Sequence, residues 1–552
     1  MSPPNDAPVD STKLLLSSVR ERPIFESRDE KLLMATQLEV TLDRFYVHLP
    51  LKESMLGVRL AQQARLLRAN VDFYPDDLSF MAAVIQLSTG IRDPHTRMVL
   101  PEPWSALRAY LPFLIEEYFD DAGKPRYIVT KLPPAMDLGE DFVPGVEVTH
   151  WNGEPMHSRI QRLGRSMSGA NYAARFRAAL QALTTRTLAY DLPPEEDFVM
   201  LSYLGKKGPA VLTHPWLVTD SLIPFELQPE PQSRSATALG MNAQAMQVQR
   251  LKKMLFVPDR LRRELEIAAG REHEADSAET LIGGTAADET VFPESLSFRV
   301  AETQSGKFGY LRIWNFMVGD EVEAFVMEAE RIIRLLPRNG LIIDVRGNPG
   351  GVVMAGERLL QFFSPNRIEP EPVSLRCTEF VRLLAERYDW LEPWRRSLNL
   401  GVVTGELFSQ GIPLTSVDEA NSVGRIYTGP VVLICDAESY SACDFFVAGF
   451  KDHGLGKIIG TDRQTGAGGA NVWNHELLVE AGIEGSGLKY LARGASMNVA
   501  MRRSTRVGAM RGIPVEGLGV EVDVHHRYTR DDILHQNVDL LNRAGQLIAS
   551  GA

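Results

Sequence analysis

The chain has 552 residues, of which 44% are hydrophobic and 24% charged, and its formal net charge is −12. This length allows about two to four domains with a sizeable buried core. The acidic balance excludes nonspecific nucleic-acid binding, which needs a basic surface. The three cysteines lack the spacing of zinc ligands and fit a chain that does not depend on disulfides.

Near the N-terminus, Leu14, Leu15 and Leu16 form an apolar run that is too short for the core of a signal peptide. No segment of the sequence approaches the roughly 20 apolar residues of a transmembrane helix. We therefore expect a cytoplasmic protein that does not associate with membranes.

The first part of the chain, residues 1–103, is predicted to be a helical region. Apolar residues recur there at the spacing of one helical face. The predicted helices lie around 32–42, 56–69 and 78–87. A polar turn that contains His95 follows them.

The next part, residues 104–227, is predicted to be a β-rich domain. Short apolar runs typical of strands lie at 111–118, 127–131 and 146–150. An Asn-Gly pair between apolar runs, at Asn152 and Gly153, is typical of a hairpin turn. A helix is predicted after this turn, at 158–163.

Residues 228–295 differ from the rest in composition. A proline-rich stretch, QPEPQSRS, and a stretch of small and acidic residues, GGTAADET, flank one predicted helix at 243–269. Long insertions of this kind are more often disordered or functional than part of a core. We predict a mobile linker here, with a lid or a processing segment as the alternatives.

The remaining part, residues 296–552, has the pattern of an α/β core. A strand at 308–316 precedes an amphipathic helix, and a buried strand follows at 341–345. This order predicts a right-handed crossover between parallel strands. Residues 369–422 are expected to be an irregular insertion, and a last helix is predicted at 531–548.

Two strands of this core end in turns that suit a reaction site. The strand at 341–345 runs into a glycine-rich turn ending at Gly351, where a ligand can approach the backbone closely. The strand at 431–434 leads into a polar turn and a helix, with Ser441 at the helix start.

A serine at a helix start is most often an N-cap. The alternative for Ser441 is a nucleophile, because the N–H groups and the positive dipole of a helix start favour a developing oxyanion. Sites of parallel sheets gather at the carboxyl ends of the strands. The two strand ends together therefore favour an acyl-transfer site.

The turns at 344–351 and 439–444 read DVRGNPGG and SYSACD. They resemble the DxRGNxGG-like turn and the SxSA-x-[ED] nucleophile turn of the tail-specific (C-terminal-processing) and tricorn-type serine peptidases. The resemblance implies an α/β multidomain protein with an N-terminal helical region and a crotonase- or ClpP-like ββα-type peptidase core at 296–552. It also implies a PDZ-like fold for the β-rich domain.

The resemblance also implies roles for individual side chains. Ser441 occupies the nucleophile position, and Ser439 is its rival. His95 is the implied general base, since tricorn-type relatives place a histidine after an N-terminal helical region. These relatives have a serine before the histidine, where this chain has Pro94. Glu516, in a closing segment similar to the family's, is implied to orient the histidine.

Tail-specific relatives carry a general-base lysine in a Gly-Lys-Gly loop. The matching loop of this chain has Ala467 instead, and neither Lys457 nor Lys489 falls on the motif. A Ser/His arrangement is therefore favoured over a Ser/Lys dyad. An imidazole base with an ordinary pKa predicts that kcat/KM rises through roughly pH 6 to 7.

The predicted function is that of a serine endopeptidase, a hydrolase that forms an acyl-enzyme on Ser441. The backbone N–H groups of Gly351 and Ala442 are expected to hold the oxyanion. No metal or organic cofactor is predicted. The expected partners are polypeptide substrates, either unfolded or chain-end segments. Whether the chain forms a homo-oligomer stays open. The alternative is a catalytically inactive binding protein on the same fold.

Overall fold

The computed structural model of the chain describes residues 14–133, 136, 138–220, 239–257 and 290–551. Most of the predicted segment 228–295 therefore lies outside the described residues. Its predicted helix at 243–269 is described over Ala243–Phe256, where the chain is helical. Among the described helices, none is both long enough and apolar enough to cross a membrane.

The N-terminal part of the chain is helical, as its pattern predicts. Its helices are α1 (Leu16–Arg20), α2 (Arg28–Arg44), α3 (Leu49–Leu56), α4 (Leu60–Ala69) and α5 (Asp77–Gly90). The side chains of Ser27 and Asp76 cap α2 and α5 by accepting a backbone N–H three residues on. The helix predicted around 56–69 is confirmed over Leu60–Ala69. It starts later than predicted because Gly57, with a φ of 65°, ends α3 in the left-handed conformation.

Two antiparallel sheets follow. The strands before residue 221 are β1 (Leu14–Leu15), β2 (Arg97–Val99), β3 (Arg108–Tyr110), β4 (Leu114–Phe119), β5 (Pro125–Lys131), β6 (Glu147–Trp151), β7 (Glu154–Pro155), β8 (Thr185–Thr187), β9 (Phe198–Gly205), β10 (Gly208–Pro215) and β11 (Leu217–Thr219). One sheet has the order β1-β11-β3-β8, and the other has β10-β9-β6-β5-β4 with β7 beside β6. Asn152 and Gly153, both with positive φ, turn the chain from β6 to β7 as predicted. The helices α6 (Met156–Gly164) and α7 (Tyr172–Ala182) complete this part.

The rest of the described chain combines strands and helices. Its strands are β12 (Leu239–Met241), β13 (Leu296–Thr303), β14 (Gly306–Ile313), β15 (Leu341–Asp344), β16 (Gly350–Val352), β17 (Pro372–Leu375), β18 (Ile412–Pro413), β19 (Val431–Cys435), β20 (Lys457–Gly460), β21 (Ala470–Asn474), β22 (Ser496–Ser504) and β23 (Val524–His525). Its helices are α8 (Ala243–Phe256), α9 (Val322–Leu335), α10 (Val353–Leu360), α11 (Glu379–Arg387), α12 (Glu392–Thr404), α13 (Ala442–Asp452), α14 (His475–Glu480), α15 (Arg530–Leu534) and α16 (Val538–Ala549).

The central sheet has the order β13-β14-β15-β19-β20-β23 and is parallel except at its β13–β14 edge. The helix α9 connects β14 to the parallel strand β15, which is the predicted crossover. In the register of β15 and β19, Asp344 lies opposite Ile434. The two turns that carry the motifs therefore leave the same edge of the sheet side by side. The predicted α/β multidomain class is confirmed.

A second sheet of the core ties the N-terminal region to it. Its order is β18-β17-β22-β2, with β21 beside β22. The strand β2 comes from the N-terminal region and pairs with β22, so that Arg97 lies opposite Asn498. This pairing fixes the loop between α5 and β2, which carries His95.

The expectation of an irregular insertion at 369–422 is wrong. This segment contains α11 and α12 together with the strands β17 and β18. The side chain of Thr378 caps α11, and Gly405, with a φ of 80°, ends α12. The indole N–H of Trp394 donates to the carbonyl oxygen of Val373 at 3.0 Å and holds α12 on β17.

Candidate active site

Ser441 stands at the junction between the turn after β19 and the helix α13. Its φ of 63° and ψ of −120° are an uncommon conformation for a residue with a side chain. The backbone N–H of Ser441 donates to Asp444 Oδ2 at 2.9 Å, and this hydrogen bond holds the sharp turn. Backbone strain of this kind is concentrated at functional sites.

The hydroxyl group of Ser441 contacts the imidazole of His95. The distance from Ser441 Oγ to His95 Nε2 is 2.6 Å, although the two residues are 346 positions apart. Ser441 Oγ also lies 3.5 Å from the carbonyl oxygen of Ala470. Both Ser441 and His95 are buried. The structure thus brings together the predicted nucleophile and the predicted base.

The other ring nitrogen of His95 faces Tyr440 and Asp93. Tyr440 Oη lies 3.2 Å from Nδ1, and the two rings stack with their centroids 4.7 Å apart. Asp93 Oδ1 lies 3.6 Å from Nδ1 and accepts the backbone N–H of His95 at 2.8 Å. Asp93 Oδ2 accepts the hydroxyl proton of Thr96 at 2.9 Å, and Thr96 Oγ1 in turn accepts the backbone N–H of Ala500 on β22. The loop is therefore anchored to the core from both sides of the histidine.

Glu516 is not placed as the sequence analysis expects. Among the contacts of the described residues, its carboxylate makes no hydrogen bond to His95. Glu516 Oε1 instead contacts the ammonium group of Lys52 on α3, and Glu516 Oε2 accepts the backbone N–H of Gly469 at 3.3 Å. Lys52 Nζ also donates to the carbonyl oxygen of Arg92 at 2.9 Å, in the loop that carries the histidine.

Burial governs the protonation of this cluster. It lowers the pKa of His95 to about 4, although Asp93 acts in the opposite direction. Burial also acts to raise the pKa of Asp93, but the nearby His95 and Lys52 outweigh it and the pKa lies below its ordinary value. The pKa of Glu516 is raised to about 8 by burial, against the effect of Lys52. His95 is therefore neutral at physiological pH and able to accept a proton.

A possible metal geometry lies beside this cluster. One ligand atom each of His48, Asp93 and Glu516 lies within 4.8 Å of the other two. However, the ammonium group of Lys52 is in direct contact with Glu516. A divalent cation among these three ligands would be repelled by that charge, so the residues do not fit a metal site.

Gly351 and Ala442 lie on the two turns that were expected to supply oxyanion donors. Gly351 has a φ of 143°, and a Cβ there would lie 2.1 Å from the carbonyl carbon of Phe316, so only glycine fits. Ala442 is the first residue of α13. The backbone N–H of Tyr440 donates to the carbonyl oxygen of Asn348 at 2.9 Å and joins the two turns.

The strand β12 lies on the outer edge of β16, the strand that contains Gly351. The two strands run antiparallel, with Gly240 opposite Gly351. The backbone N–H of Asn242 donates to the carbonyl oxygen of Pro349 at 2.9 Å. Since hydrogen-bonded pairs alternate along an antiparallel ladder, Gly240 and Gly351 form the next pair that exchanges both hydrogen bonds. The chain's own backbone thus covers the edge on which an oxyanion donor was predicted.

The loop that carries a lysine in tail-specific relatives is held by Asp444. The carboxylate of Asp444 accepts hydrogen bonds from the hydroxyl group of Thr465 and the backbone N–H groups of Ala467 and Gly468. The two lysines considered from the sequence, Lys457 and Lys489, are both exposed.

The rival serine is used within its own turn. Ser439 Oγ donates a hydrogen bond at 2.9 Å to the carbonyl oxygen of Val345 and lies 3.0 Å from Asp436 Oδ1. Ser439 Oγ also accepts the backbone N–H of Asp436 at 3.1 Å. These contacts bind the nucleophile turn to the end of β15 and favour Ser441 as the nucleophile.

Sequence reasoning missed Lys52, Tyr440 and the role of Asp93. Asp93 and Tyr440 stand within two residues of His95 and Ser441, so their proximity to the site was visible in the motifs. Nothing in the sequence pointed to Lys52, since it lies on a separate helix that only the tertiary fold brings to Glu516.

Residues 307–496 match the model of peptidase family S41. This family is a class of serine peptidases, and the match confirms the resemblance drawn from the sequence motifs together with the predicted enzyme class, a hydrolase. The matched region contains Gly351 and Ser441. It contains neither His95 nor Glu516, which the fold adds from outside.

Two solved structures share the fold over nearly the whole chain. Mature CPAF is 17% identical, with a TM-score of 0.62 and coverage of 95% of this chain and 98% of that chain. Mature CPAF complexed with lactacystin is 16% identical, with a TM-score of 0.62 and coverage of 95% and 99%. At this identity the likeness concerns the fold alone.

One curated relative is similar in sequence. It is a protein of Chlamydia muridarum (strain MoPn / Nigg), described as uncharacterized, and it is 25% identical over 187 residues. The match covers 33% of this chain and 27% of that protein. The chain therefore spans only about a quarter of the length of this relative.

Proposed function

We propose that the chain is a serine endopeptidase that cleaves polypeptides through an acyl-enzyme on Ser441. One observation carries the proposal. The distance of 2.6 Å from Ser441 Oγ to His95 Nε2 joins a hydroxyl group on a strained turn to a neutral, buried imidazole. A serine needs such an adjacent base to act as a nucleophile near neutral pH.

In the acylation step, His95 Nε2 takes the proton of Ser441 as Oγ bonds to the carbonyl carbon of the substrate. The oxyanion that forms is held by the backbone N–H groups of Gly351 and Ala442, and one such donor contributes about 100-fold or more in rate. The imidazolium then gives its proton to the leaving amine as the peptide bond breaks. An ester between Ser441 and the acyl half of the substrate remains.

In the deacylation step, water replaces the amine. His95 takes a proton from the water as its oxygen bonds to the ester carbon, and then returns that proton to Ser441 Oγ as the ester breaks. The products are a carboxylic acid, an amine and the free enzyme.

Asp93 and Tyr440 orient His95 in this proposal. Nε2 can accept the serine proton only when Nδ1 carries the ring proton, and that proton faces Tyr440 Oη at 3.2 Å and Asp93 Oδ1 at 3.6 Å. The carboxylate of Asp93 stabilises the imidazolium by its charge. Glu516 acts at longer range, through its ion pair with Lys52.

A peptide substrate binds along the edge of β16. Residues 239–241 act as a stand-in for it, because their backbone adds to this edge as an antiparallel strand with Gly240 opposite Gly351. An extended peptide that takes the same place gains main-chain hydrogen bonds regardless of its sequence. It must first displace this strand. Extended binding favours unfolded polypeptides and chain ends as substrates.

The narrower predictions stay predictions. These are the tail-specific type of cleavage, the PDZ-like nature of the domain at 104–227, the domain limits, the cytoplasmic location and a homo-oligomer. The alternative of an inactive binding protein is opposed by the contact between Ser441 and His95, which a binding protein has no need to keep.

A fluorophosphonate probe tests the proposal. It should label the wild-type protein on Ser441, as shown by mass spectrometry of its peptides, and should fail to label Ser441→Ala. Casein hydrolysis should fall by about 10⁴-fold or more in both Ser441→Ala and His95→Ala. Ser166→Ala, an exposed serine whose hydroxyl group donates only to the carbonyl oxygen of Leu163, is the control. A folded Ser441→Ala protein that still cleaves casein would refute the mechanism.

A further inference from the structure

Arg502, on β22, is a buried cation without a partner among the described residues. Its side chain is 2% exposed, and none of its three guanidinium nitrogens has a hydrogen-bond partner within the part of the chain that the structure describes. Burial lowers the pKa of Arg502 to about 9, which still leaves it charged at neutral pH. An unpaired buried charge is strongly unfavourable, and proteins almost always pair it.

The other buried arginines of the chain do have partners. Arg108 donates to the carbonyl oxygens of Ser105 and Leu107 at 2.7 and 2.9 Å. Arg186 likewise donates to the carbonyl oxygen of Ala182 at 3.0 Å. Arg502 therefore differs from them in a way that points to a partner from outside the described part of the chain.

A second unpartnered donor lies next to Arg502. Asn471 Oδ1 accepts the backbone N–H of Arg502 at 2.8 Å, while Asn471 Nδ2 is buried and has no hydrogen-bond partner among the described residues. The register between β21 and β22 shifts between Ala470 and Val472, and this bulge at Asn471 sets its side chain toward β22. Bulges are frequent next to active sites, where they redirect a side chain.

Asn471 adjoins a residue that contacts the nucleophile, and its side chain holds the backbone of Arg502. Ala470, the residue before Asn471, places its carbonyl oxygen 3.5 Å from Ser441 Oγ. The strand β12 packs against β21 as well as pairing with β16. A peptide that replaces residues 239–241 therefore runs past the strand that carries Asn471.

We propose that Arg502 and Asn471 form a subsite that binds the carboxylate of the substrate polypeptide close to the scissile bond. A guanidinium group and an amide N–H match the two oxygens of a carboxylate, and such charge-assisted hydrogen bonds are strong. The carboxylate comes from an acidic side chain or from the chain terminus. This inference rests on the proposed peptidase function, and it names an acidic peptide as the substrate class.

Matched peptides test the subsite. Fluorogenic peptides would carry Glu or its neutral isostere Gln at each position on either side of the cleaved bond, and a second set would end in a free carboxylate or an amide. At one position the wild-type protein should prefer the acid by about 10- to 100-fold in kcat/KM. The first set reports a side-chain carboxylate, and the second reports a terminal one.

Arg502→Met should bring this ratio close to one, and Arg502→Lys should keep part of it. Arg108→Met, a buried arginine with carbonyl partners and outside the site, is the matched control and should keep the wild-type ratio. The same variants should differ in thermal stability. Arg502→Met should melt at the wild-type temperature or above it, since it removes an unpaired buried charge, whereas Arg108→Met should melt lower.

Binding separates this inference from the proposed function. The affinity of Ser441→Ala for the Glu and Gln peptides is measured by fluorescence anisotropy, with and without Arg502→Met. An acid preference in binding that depends on Arg502 supports the subsite even where no peptide is cleaved.

Equal affinity for acid and amide peptides in both assays overturns the subsite, even when casein is cleaved. So does a fall in melting temperature for Arg502→Met as large as that of Arg108→Met with the acid ratio unchanged, because Arg502 is then structural. Where Arg502→Met does not fold, Asn471→Leu and Arg502→Lys carry the same test of the ratio.

Discussion

Lys52 and Glu516 form an ion pair inside the protein, with 2% and 0% of their side chains exposed. The pair links the helix α3 to the closing segment of the core. Since Lys52 also donates to the carbonyl oxygen of Arg92, it supports the loop that presents His95. Two parts of the chain that are far apart in sequence thus meet behind His95, the proposed general base.

Replacing Lys52 by Met should leave Glu516 buried without its cation. Loss of one partner of a buried pair costs about 3–5 kcal/mol in the free energy of unfolding. The pKa of Glu516 is already raised to about 8, and it should rise further in Lys52→Met. The folded state then binds a proton that the unfolded state releases above about pH 4.5, so stability should fall as the pH rises from about 5 to 9.

Thermal unfolding of Lys52→Met between pH 5 and 9 measures this dependence of stability on pH. The double variant Lys52→Met with Glu516→Gln has no carboxylate to protonate, and its stability should recover at high pH. A Lys52→Met protein whose melting temperature follows that of the wild type at every pH would show that the pair is not important for stability.

The parts of the proposed site that lie in local motifs are readable from the sequence. Ser441, Gly351 and Ala442 follow buried strands whose length and β-branched residues are readable without a structure. His95 was found only through its resemblance to a family motif. The buried partners Lys52 and Arg502 could not be predicted, because a lone lysine on a helix or an arginine in a strand is normally exposed. Their burial follows from the packing of distant segments.

The carboxylate assigned to His95 differs between sequence and structure for a similar reason. The resemblance implied Glu516. This residue lies in a loop, and the sequence of a loop does not show in which direction a side chain points. Asp93 is two positions from His95, and its contact with Nδ1 depends on the hydrogen bonds that close the loop. Loop conformation of this kind cannot be read from hydrophobic periodicity.

Asp93→Asn should therefore reduce kcat/KM more than Glu516→Gln. An amide at position 93 can stabilise the wrong tautomer of His95 and lacks the charge that stabilises the imidazolium, and a loss of up to about 10⁴-fold is expected. Glu516→Gln changes only a carboxyl group at longer range. Tyr440→Phe keeps the ring stacked on His95, and its loss in kcat/KM should lie between those of the other two variants.

The three variants are compared by their steady-state rates with one casein-derived peptide. Only variants with the circular dichroism of the wild type are included. His150→Ala is the control for general effects of substitution, since this histidine lies on β6 in the segment 104–227. A larger loss in Glu516→Gln than in Asp93→Asn would return the orienting role to Glu516.

Gly351→Ala should strongly reduce activity. A Cβ at this position would lie 2.1 Å from the carbonyl carbon and 2.2 Å from the carbonyl oxygen of Phe316, both backbone atoms that cannot move aside cheaply. The strand β16 must shift, and its N–H group then leaves the oxyanion position, with a loss of about 100-fold or more in kcat. Gly90→Ala, at the end of α5, is the control, because the added Cβ would meet no described atom within 4 Å apart from its chain neighbours and its own helix backbone. Rates near wild type in a folded Gly351→Ala protein would remove Gly351 from the oxyanion site.

The pH dependence of the reaction separates the buried His95 of the structure from an ordinary histidine. A general base must be unprotonated, and burial lowers the pKa of His95 to about 4. The rate constant kcat/KM should therefore rise with pH through about 4 and reach a plateau near pH 6, below the range of roughly 6 to 7 that an exposed imidazole gives.

The lowered pKa of His95 also makes the stability of the protein depend on pH. Between about pH 4 and 6.5 an unfolded histidine binds a proton that the folded His95 does not, so its contribution to stability is lost as the pH falls through this window. Activity at low pH is therefore compared with activity after return to pH 7, which separates protonation from unfolding. A reversible limb centred between pH 6 and 7 would mean that burial does not lower the pKa of His95 in the working enzyme, and would contradict this prediction.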